Sequence, residues 1–356
     1  MVWIRAGAAL LLGSFPGVSI GDVALERSDD CDILVSGTIS SGDVQTFAGS
    51  ADVLLALDRE AYQSDPNSLR GHWPRTVCLN SAGGSYAAGI DIANLIQGRF
   101  GTRLMPEAEC YSACAVVFMS GSAQHPDEIL HDHNPEDSSS GWLVGPKRLM
   151  APTAILGFHA PYIEFSGRDT IPVQEAQEWM TGVSALTGFL VSSIKENFPP
   201  ELAQEMLARG PGEFFFIDEV GQLNAWGIDL ETDFHPRISM DMFRRSWSVA
   251  AHQFGYGGGG YGSIGDTSFG LKGPPAQMDS ASGWASPLEA GQTQSGSDYL
   301  LVGSVGREAS FGAALIDYVN VFQLRVLSPD FTEEYARFDL QGWQMEQPSR
   351  QISSFD

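Results

Sequence analysis

Short apolar runs rich in β-branched residues alternate with amphipathic stretches of helical period along the first 230 residues. Repeated alternation of this kind predicts strands that are separated by helices, and therefore an α/β layer structure. The predicted strands are residues 33–39, 76–79, 102–105 and 154–158, and the predicted helices are 42–57, 85–96, 112–121, 172–194, 201–208 and 217–227.

The stretch 77–121 is the most informative part of the sequence. Its first strand runs into the paired glycines Gly83 and Gly84, where the backbone can take a positive φ and approach a ligand closely. Ser85 follows as a predicted helix cap, and Ser112 begins a second, small-residue helix. Amides released by the glycine turn and by this helix start can converge beside the Ser112 hydroxyl, as acyl transfer requires. Each half alone is ordinary, because glycine turns are common and a serine at a helix start is usually only a cap.

Two segments interrupt the alternation of strands and helices. Residues 122–146 are acidic and aperiodic, which predicts a surface insertion. Its three histidines allow a divalent-metal site, but we favour a solvated loop and expect no metal. Residues 235–297 are rich in glycine, serine and proline, which predicts a low-complexity linker. We therefore expect one catalytic domain over residues 28–234 and a partly strand-like C-terminal segment, 298–356, to which no role is assigned.

Residues 1–21 combine Arg5, a short core rich in alanine and leucine, and smaller residues toward Gly21. This pattern is typical of a cleaved secretory signal, since Gly13 and Pro16 leave the apolar core too short and interrupted to span a bilayer comfortably. A buried first strand and a lipid-facing anchor are the alternatives. No other segment of the sequence approaches membrane-spanning length, so we expect a periplasmic or secreted protein whose mature chain lacks an integral membrane segment.

The four cysteines, Cys31, Cys78, Cys110 and Cys114, form an even set with three possible pairings. Export to an oxidising compartment would favour disulfides. A bond between Cys110 and Cys114 would hold the turn that carries Ser112 and fix its direction. Two small buried hydrophobic residues are the alternative, and a zinc site is disfavoured because no histidine lies at ligand spacing beside them in the sequence. We favour the disulfide.

The chain carries a formal net charge of −24, with only three lysines. Such a surface repels phosphate backbones and anionic lipids, so nucleic-acid binding is not expected. The scarcity of basic residues, together with export, also disfavours an enzyme that grips the phosphates of acyl-CoA. We therefore expect no cofactor.

Four segments, in order along the chain, resemble motifs of the proteolytic subunit of Clp protease. Residues 80–89 are similar to its glycine turn, and Cys110-Tyr111-Ser112-Ala113-Cys114 is similar to its nucleophile segment. Residues 145–161 resemble the strand that delivers its catalytic histidine, and residues 216–227 resemble the helix that closes its domain. The resemblance implies the crotonase-like spiral of repeated ββα units. The paired cysteines and the predicted signal resemble an exported bacterial branch of that family.

At the matching positions, the resemblance implies that Ser112 is the nucleophile, His159 the general base, and the backbone amides of Gly84 and Ala113 the oxyanion hole. The histidine would take the hydroxyl proton, while the fixed amides would stabilise charge on the carbonyl oxygen. For His159 the alternative is a core histidine that is bonded to the backbone at the end of a strand.

The family's catalytic triad has an acid as its third residue, and this position departs from the family's pattern. The family has an aspartate just before its closing helix, near the position of Phe216, whereas here Glu213 is the only carboxylate within reach. Three alternatives follow from this departure: a Ser–His dyad without an acid, an acid supplied from another position, or a protein of the same fold that has lost catalytic turnover. The acidic insertion between Ser112 and His159 is a second departure, placed where it could cover or block the site.

These observations favour an exported serine hydrolase, expected to be a peptidase that acts on peptide or protein substrates through an acyl-enzyme at Ser112. The alternative is a non-catalytic binding or assembly protein of the same fold, in which Ser112 is only a helix cap. The family's subunits stack in rings, so the resemblance allows a homo-oligomer for this chain. Its unfolding ATPase is not carried over, because an exported protein has no ATP-driven partner available.

Overall fold

A computed structural model provides the coordinates of the chain. The predicted signal at 1–21 lies outside the residues that the structure describes. Those residues are 22–24, 31–69, 73–130, 145–161, 170, 172–193, 198–210, 212–234, 236, 242, 245–246, 249–250, 287–292, 298–302, 312–317, 322–327, 334–346 and 349–355.

Strands and helices alternate through the first 230 residues, in agreement with the hydrophobic pattern. In chain order they are β1 (Asp22–Ala24), β2 (Ile33–Ile39), α1 (Ser41–Ser64), β3 (Arg75–Gly84), α2 (Tyr86–Ile96), β4 (Phe100–Leu104), β5 (Glu109–Tyr111), α3 (Ala113–Met119), β6 (Ser122–Ala123), α4 (Pro126–Leu130), β7 (Gly145–Pro146), β8 (Arg148–Met150), β9 (Ile155–Phe158), α5 (Val173–Ser193), α6 (Pro200–Leu207), β10 (Phe215–Phe216), α7 (Val220–Trp226) and β11 (Asp229–Leu230).

Buried polar pairing explains the largest difference at an element boundary. α1 continues to Ser64, although the apolar pattern predicts that it ends at 57. In the added turns Asp58 is buried and accepts a hydrogen bond from Arg75 Nη2 at 2.6 Å. Arg75 Nη1 also reaches Asp32 at 3.0 Å, so one guanidinium joins α1, β3 and the chain before β2. A hydrophobicity pattern treats a buried, ion-paired acidic residue as a polar loop position. The extension of α1 beyond residue 57 is therefore not visible in the sequence.

The main sheet is rich in parallel pairs, which makes the chain a mixed α/β protein. Its order is β10-β9-β5-β3-β4-β8-β11, with β2 paired to β3 and β1 to β2. Only the β1–β2 and β9–β10 pairs of this sheet are antiparallel among the described strands. β3 lies at the centre, since its first half pairs with β4 and Ser81 near its end pairs with Cys110 of β5. The carboxyl ends of β3, β5 and β9 therefore lie at one edge of the sheet.

The predicted acidic insertion is structured at both of its ends. β6 pairs with β7 in an antiparallel ladder, α4 forms one short helix between them, and Leu130 is buried. His125 is also buried, which differs from the solvated loop that we expected. Residues 131–144, including the other two histidines, lie outside the described residues.

The C-terminal region contains a five-stranded antiparallel sheet. Its strands pair in chain order, β12 (Pro287–Gln292), β13 (Asp298–Val302), β14 (Gly312–Asp317), β15 (Phe322–Leu327) and β16 (Glu334–Leu340). β12 falls inside the predicted linker 235–297, where Met242 and Ala250 are also buried. The linker prediction therefore does not describe these residues, because a composition averaged over the segment hides short stretches that pack.

The last described residues return to the first sheet. Trp343 and Ile352 are buried in the same hydrophobic core as β2, α2 and α3. Ile352 N donates to Asp218 O at 2.8 Å, and Val220 N donates to Arg350 O at 3.0 Å, which ties the chain end to the start of α7. The last described residues, with Trp343 and Ile352, are therefore part of this core. None of the helices in the described ranges has the length and apolar character that crossing a membrane requires.

Candidate active site

Ser112 lies at the turn between β5 and α3 with an unusual backbone conformation. Its φ is 59° and its ψ is −122°. A positive φ is uncommon outside glycine, costs on the order of 1–3 kcal/mol, and persists only where the surrounding structure imposes it. The side chain of a capping serine instead accepts a first-turn amide from an extended backbone, and within the described residues the Ser112 side chain accepts no such bond. The helix-cap interpretation therefore does not fit Ser112.

Two neighbouring strands hold the Ser112 turn. Ser112 N donates to the carbonyl oxygen of Gly157 in β9 at 3.1 Å. From β3, Gly83 packs directly beneath the serine, because a Cβ added there would lie 2.8 Å from Ser112 Cβ and 2.7 Å from Tyr111 O. Gly83 has a φ of 95°, so both its conformation and its lack of a side chain are required. The glycine turn and the serine turn are thus in contact, as the sequence predicts.

Both cysteine pairs form disulfides. Cys110 in β5 is bonded to Cys114 in the first turn of α3, which is the pairing that we favoured, and Ser112 lies midway between them. Cys31 is bonded to Cys78 of β3, a pairing that the sequence left open. All four side chains are buried. The two bonds therefore differ in what they hold, since one closes a single turn and the other joins the chain just before β2 to β3.

His159 lies at the same sheet edge as Ser112. β5 pairs with β9 in parallel, with Tyr111 opposite Gly157, and His159 follows the last residue of β9. Adjacent strands are about 4.8 Å apart, and the crevice at the carboxyl ends of parallel strands is where ligands bind in open α/β sheets. Among the described residues no hydrogen bond joins Ser112 Oγ to the imidazole. Catalytic hydrogen bonds are often long before substrate binds, so this does not remove the pair from consideration.

The imidazole of His159 is oriented by main-chain and aromatic contacts. Its Nδ1 lies 2.7 Å from the carbonyl oxygen of Ala160. Because a carbonyl can only accept, Nδ1 carries the proton in this assigned tautomer, and Nε2 of the neutral ring has the lone pair. Tyr86 Oη donates to His159 O at 2.6 Å, and the Phe214 ring meets the imidazole edge-to-face at 4.8 Å. Neither the Ala160 contact nor the Phe214 contact is visible in the sequence, since both depend on how the chain continues after β9.

Glu213, the predicted third member, bonds within its own turn, and no hydrogen bond among the described residues joins it to His159. Its carboxylate accepts a hydrogen bond from Gly210 N at 3.3 Å within its own turn, and the residue is exposed. β10 pairs with β9 so that Phe215 lies opposite Phe158, which places Phe214 opposite His159. The structure therefore brings an aromatic ring, and not the Glu213 carboxylate, against the imidazole.

The predicted oxyanion-hole residues are Gly84, which follows the Gly83 that contacts Ser112, and Ala113, which is the first residue of α3. A Cβ added to Gly84, whose φ is 145°, would overlap the carbonyl oxygen of Ile39, so only glycine fits there. Ala113 N lies 3.3 Å from the Cβ position of Gly83. Within the described part of the chain we find no hydrogen-bond acceptor for the Ala113 amide. An available amide next to the Ser112 hydroxyl is what an oxyanion hole requires.

Aromatic rings border the site on the face that carries His159. Tyr111 and Phe216 flank Gly157 across three strands, and Phe214 stacks on Phe216 at 5.7 Å. A side chain on Gly157 would meet all three rings at 3.0–3.2 Å. Burial raises the pKa of Tyr111, and the charge of Glu109 adds to this shift. The phenol therefore stays neutral at pH 7 and is not a candidate base.

A second polar region lies at the other edge of the sheet, around β8 and β11. A cavity of about 300 Å³ there is lined in part by Arg103, Lys147, Arg148 and Asp229. Burial lowers the pKa of Arg148 to about 9, and the Asp229 carboxylate opposes this shift. Arg148 Nη1 donates to Trp226 O at 2.8 Å, and the Arg103 guanidinium is paired with Glu231. Arg148 thus bonds the backbone before β11, and Arg103 is held by a carboxylate that follows β11. In the described ranges no group of three or more His, Cys, Asp or Glu side chains is arranged to hold a metal.

Comparison with known proteins adds little to this description. No protein-family model matches the chain, and no curated protein matches it. Among solved structures, the chain is similar to a point mutant of ClpP1 from Listeria monocytogenes, with 14% sequence identity and a TM-score of 0.34. That match covers 56% of this chain and 89% of the other. A likeness at this level assigns neither a family nor an activity, so function has to be argued from the residues themselves.

Proposed function

We propose that the protein is a serine hydrolase in which Ser112 is the nucleophile and His159 the general base. The observation that carries the proposal is the backbone of Ser112. A serine in a positive-φ turn between a strand and a helix, without a side-chain capping bond, is the arrangement of the nucleophile in strand–serine–helix hydrolases, and here both Ser112 and His159 are buried. Local strain of this kind is concentrated at functional sites. His159 at the carboxyl end of the adjacent parallel strand adds a base on the same edge.

In this mechanism Ser112 Oγ attacks the substrate carbonyl carbon while its proton passes to His159 Nε2. The carbonyl of Ala160 accepts a hydrogen bond from Nδ1 and so fixes the tautomer that places the lone pair on Nε2. The amides of Gly84 and Ala113 stabilise the oxyanion. The proton then moves from Nε2 to the leaving group, and water hydrolyses the acyl-enzyme.

The finer assignment rests on the sequence motifs. The ordered resemblance to the Clp proteolytic subunit supports a crotonase-like spiral and a peptide or protein substrate for the domain at 28–234. The predicted signal and two disulfides support export to the periplasm or beyond, because disulfides persist in oxidising compartments. A homo-oligomer is compatible with the same resemblance.

An active-site-directed phosphonate tests the proposal. Full-length protein should be labelled at Ser112, and Ser112→Ala should not be labelled. The matched control is Ser85→Ala, which changes the serine at the start of α2 and should be labelled like the wild type. Peptide mapping by mass spectrometry identifies the modified residue. Absence of labelling in the wild type, or labelling that survives Ser112→Ala, contradicts the proposal.

The second candidate is a non-catalytic binding or assembly protein. The exposed position of Glu213 and its bond to Gly210 favour it, because the carboxylate that we predicted to orient the imidazole is bonded within its own turn. On this hypothesis the wild type reacts with the phosphonate no faster than Ser112→Ala. The labelling experiment therefore separates the two functions without knowledge of the substrate.

A further inference from the structure

We propose that the Cys110–Cys114 disulfide is a positioning element of the site, and that it holds Ser112 in its positive-φ conformation. The inference rests on the proposed function for its catalytic consequence. Its conformational part does not depend on activity. The Cys110–Cys114 disulfide is then more than a structural crosslink, because the reactivity of Ser112 depends on it.

The restraints on Ser112 show why the disulfide matters. The bond joins the residue two positions before Ser112 to the residue two positions after it, so it closes a ring around the strained residue. On the side of β9, one backbone hydrogen bond from Ser112 N to Gly157 O fixes the chain as it enters the turn. On the side of the helix, Val116 N reaches Ser112 O only at 3.4 Å, and Ala115 N reaches the same oxygen at 3.0 Å. These bonds fix the ends of the turn, and the disulfide is the covalent restraint across it.

Without that restraint the lower-energy conformation of a serine is at negative φ. Rotation of φ toward negative values swings the side chain about the backbone and moves Oγ relative to His159. A displacement of about 1 Å in a reacting group can reduce a rate by about 10²-fold. The disulfide therefore keeps the hydroxyl aimed at the edge where β5 and β9 end.

The chain supplies its own matched control. The Cys31–Cys78 bond joins residues 47 positions apart, whereas Cys110–Cys114 joins residues 4 apart. Because stabilisation by a crosslink grows with the length of the closed loop, removal of Cys31–Cys78 is expected to lower overall stability more. If Cys110–Cys114 acts on the serine, its removal is expected to lower reactivity more. Removal of Cys31–Cys78 should therefore have the larger effect on stability, and removal of Cys110–Cys114 the larger effect on the labelling of Ser112.

The first test compares phosphonate labelling of the full chain in three forms. These are the wild type, Cys110→Ala/Cys114→Ala and Cys31→Ala/Cys78→Ala, each checked by circular dichroism and by alkylation of free thiols. We expect the Cys110/Cys114 variant to be labelled about 10²-fold more slowly and the control to stay within twofold of the wild type. Equal rates for both variants, or a Cys110/Cys114 variant within twofold of wild type, overturn the inference.

The second test reads the backbone without any activity. Ser112→Gly relieves the positive-φ strain, so in the wild type it should raise Tm by about 2–4 °C. In the Cys110→Ala/Cys114→Ala background the serine has already relaxed, and the same change should give no rise. The rise should persist in the Cys31→Ala/Cys78→Ala background. An equal rise in all three backgrounds contradicts the proposed clamp. If the wild type is never labelled but the rise depends on Cys110–Cys114, the hydrolase fails and the positioning role stands.

Discussion

Two turns of this protein have the same order of elements, strand, serine and helix, but opposite backbone geometry at the serine. Ser85, between β3 and α2, has φ −66° and ψ 115°, and its side chain accepts Ala88 N at 3.3 Å. Ser112, between β5 and α3, has φ 59° and makes no capping bond among the described residues. The first is an ordinary helix cap. The comparison shows that the capping position alone does not define the role of a serine.

The two serines differ because the residues with positive φ are glycines in one turn and the serine itself in the other. Before α2, Gly83 and Gly84 take φ values of 95° and 145°, so Ser85 can remain extended. Before α3, the strand Glu109–Tyr111 contains no glycine, and the left-handed conformation falls on Ser112 itself. A turn that served structure alone could place glycine at position 112 at lower cost. The presence of serine there is what a nucleophile would require.

The largest expected effect is on the labelling rate of Ser112, which should depend on His159, whereas Ser85 should have no part in labelling. His159→Gln removes the base and should slow phosphonate labelling of Ser112 by about 10²–10⁴-fold, because general-base catalysis contributes that much. The measurement is the second-order labelling rate at fixed pH, with Ser85→Ala as the control at the wild-type rate. A His159→Gln protein that is labelled at the wild-type rate would reduce Ser112 to a strained structural residue.

A smaller loss is expected when the contact between the two turns is disturbed. Gly83→Ala introduces a Cβ that overlaps Tyr111 O and Ser112 Cβ, so it should displace the serine and slow labelling by about 10²-fold. It should also lower Tm, since alanine is strained at the φ of Gly83.

The control for this prediction is Gly49→Ala in α1. No atom lies within 4 Å of its Cβ position, and alanine favours a helix interior by about 0.5–1 kcal/mol. Gly49→Ala should therefore raise Tm slightly and leave labelling unchanged. Equal effects of the two glycine substitutions would contradict the packing of Gly83 against Ser112.

The stability effects of the two serines should also differ. Ser85→Ala removes a capping bond and is expected to cost about 1 kcal/mol of unfolding free energy. Ser112→Ala removes no such bond and should cost less than about 0.5 kcal/mol. Urea unfolding of both variants checks this order. A loss at Ser112 as large as the loss at Ser85 would restore the cap interpretation.

The smallest effect is expected at Glu213. Glu213→Gln should leave the labelling rate within about twofold of wild type, because the carboxylate bonds to Gly210 rather than to the imidazole. A loss of about 10²-fold or more would instead identify Glu213 as the orienting acid, since a misplaced catalytic group costs about that much. The pH dependence of the rate, measured for both proteins, distinguishes loss of the acid from loss of folding.

The sequence predicts much of the element order because its apolar periods are clear. β2 has the predicted bounds, and Ser85 caps α2 as expected. The favoured Cys110–Cys114 bond is present, since spacing across one turn limits the geometry. The proximity of Gly83 to Ser112 also follows from the order of strands and turns. These features depend on residues close in sequence or on one parallel pairing.

Features that depend on tertiary contacts could not be predicted. The sign of φ at Ser112 is invisible, because a capping serine and a strained serine occupy the same place in a pattern. The position of Phe214 against His159 depends on the register of β10 on β9. The Cys31–Cys78 pairing becomes evident only when β2 and β3 are adjacent. The helical extension of α1 rests on the buried ion pair of Asp58 and Arg75.

The return of the chain end to the start of α7 has a consequence for how the molecule is assembled. Residues 350–352 bond to 218–220, and Trp343 and Ile352 are buried in the core, so this core is not complete until synthesis has passed residue 352. If the chain is exported unfolded, this order keeps its core open until residues 343–352 have crossed. Expression of residues 28–234 alone would leave that core without Trp343 and Ile352, and we expect such a fragment to aggregate.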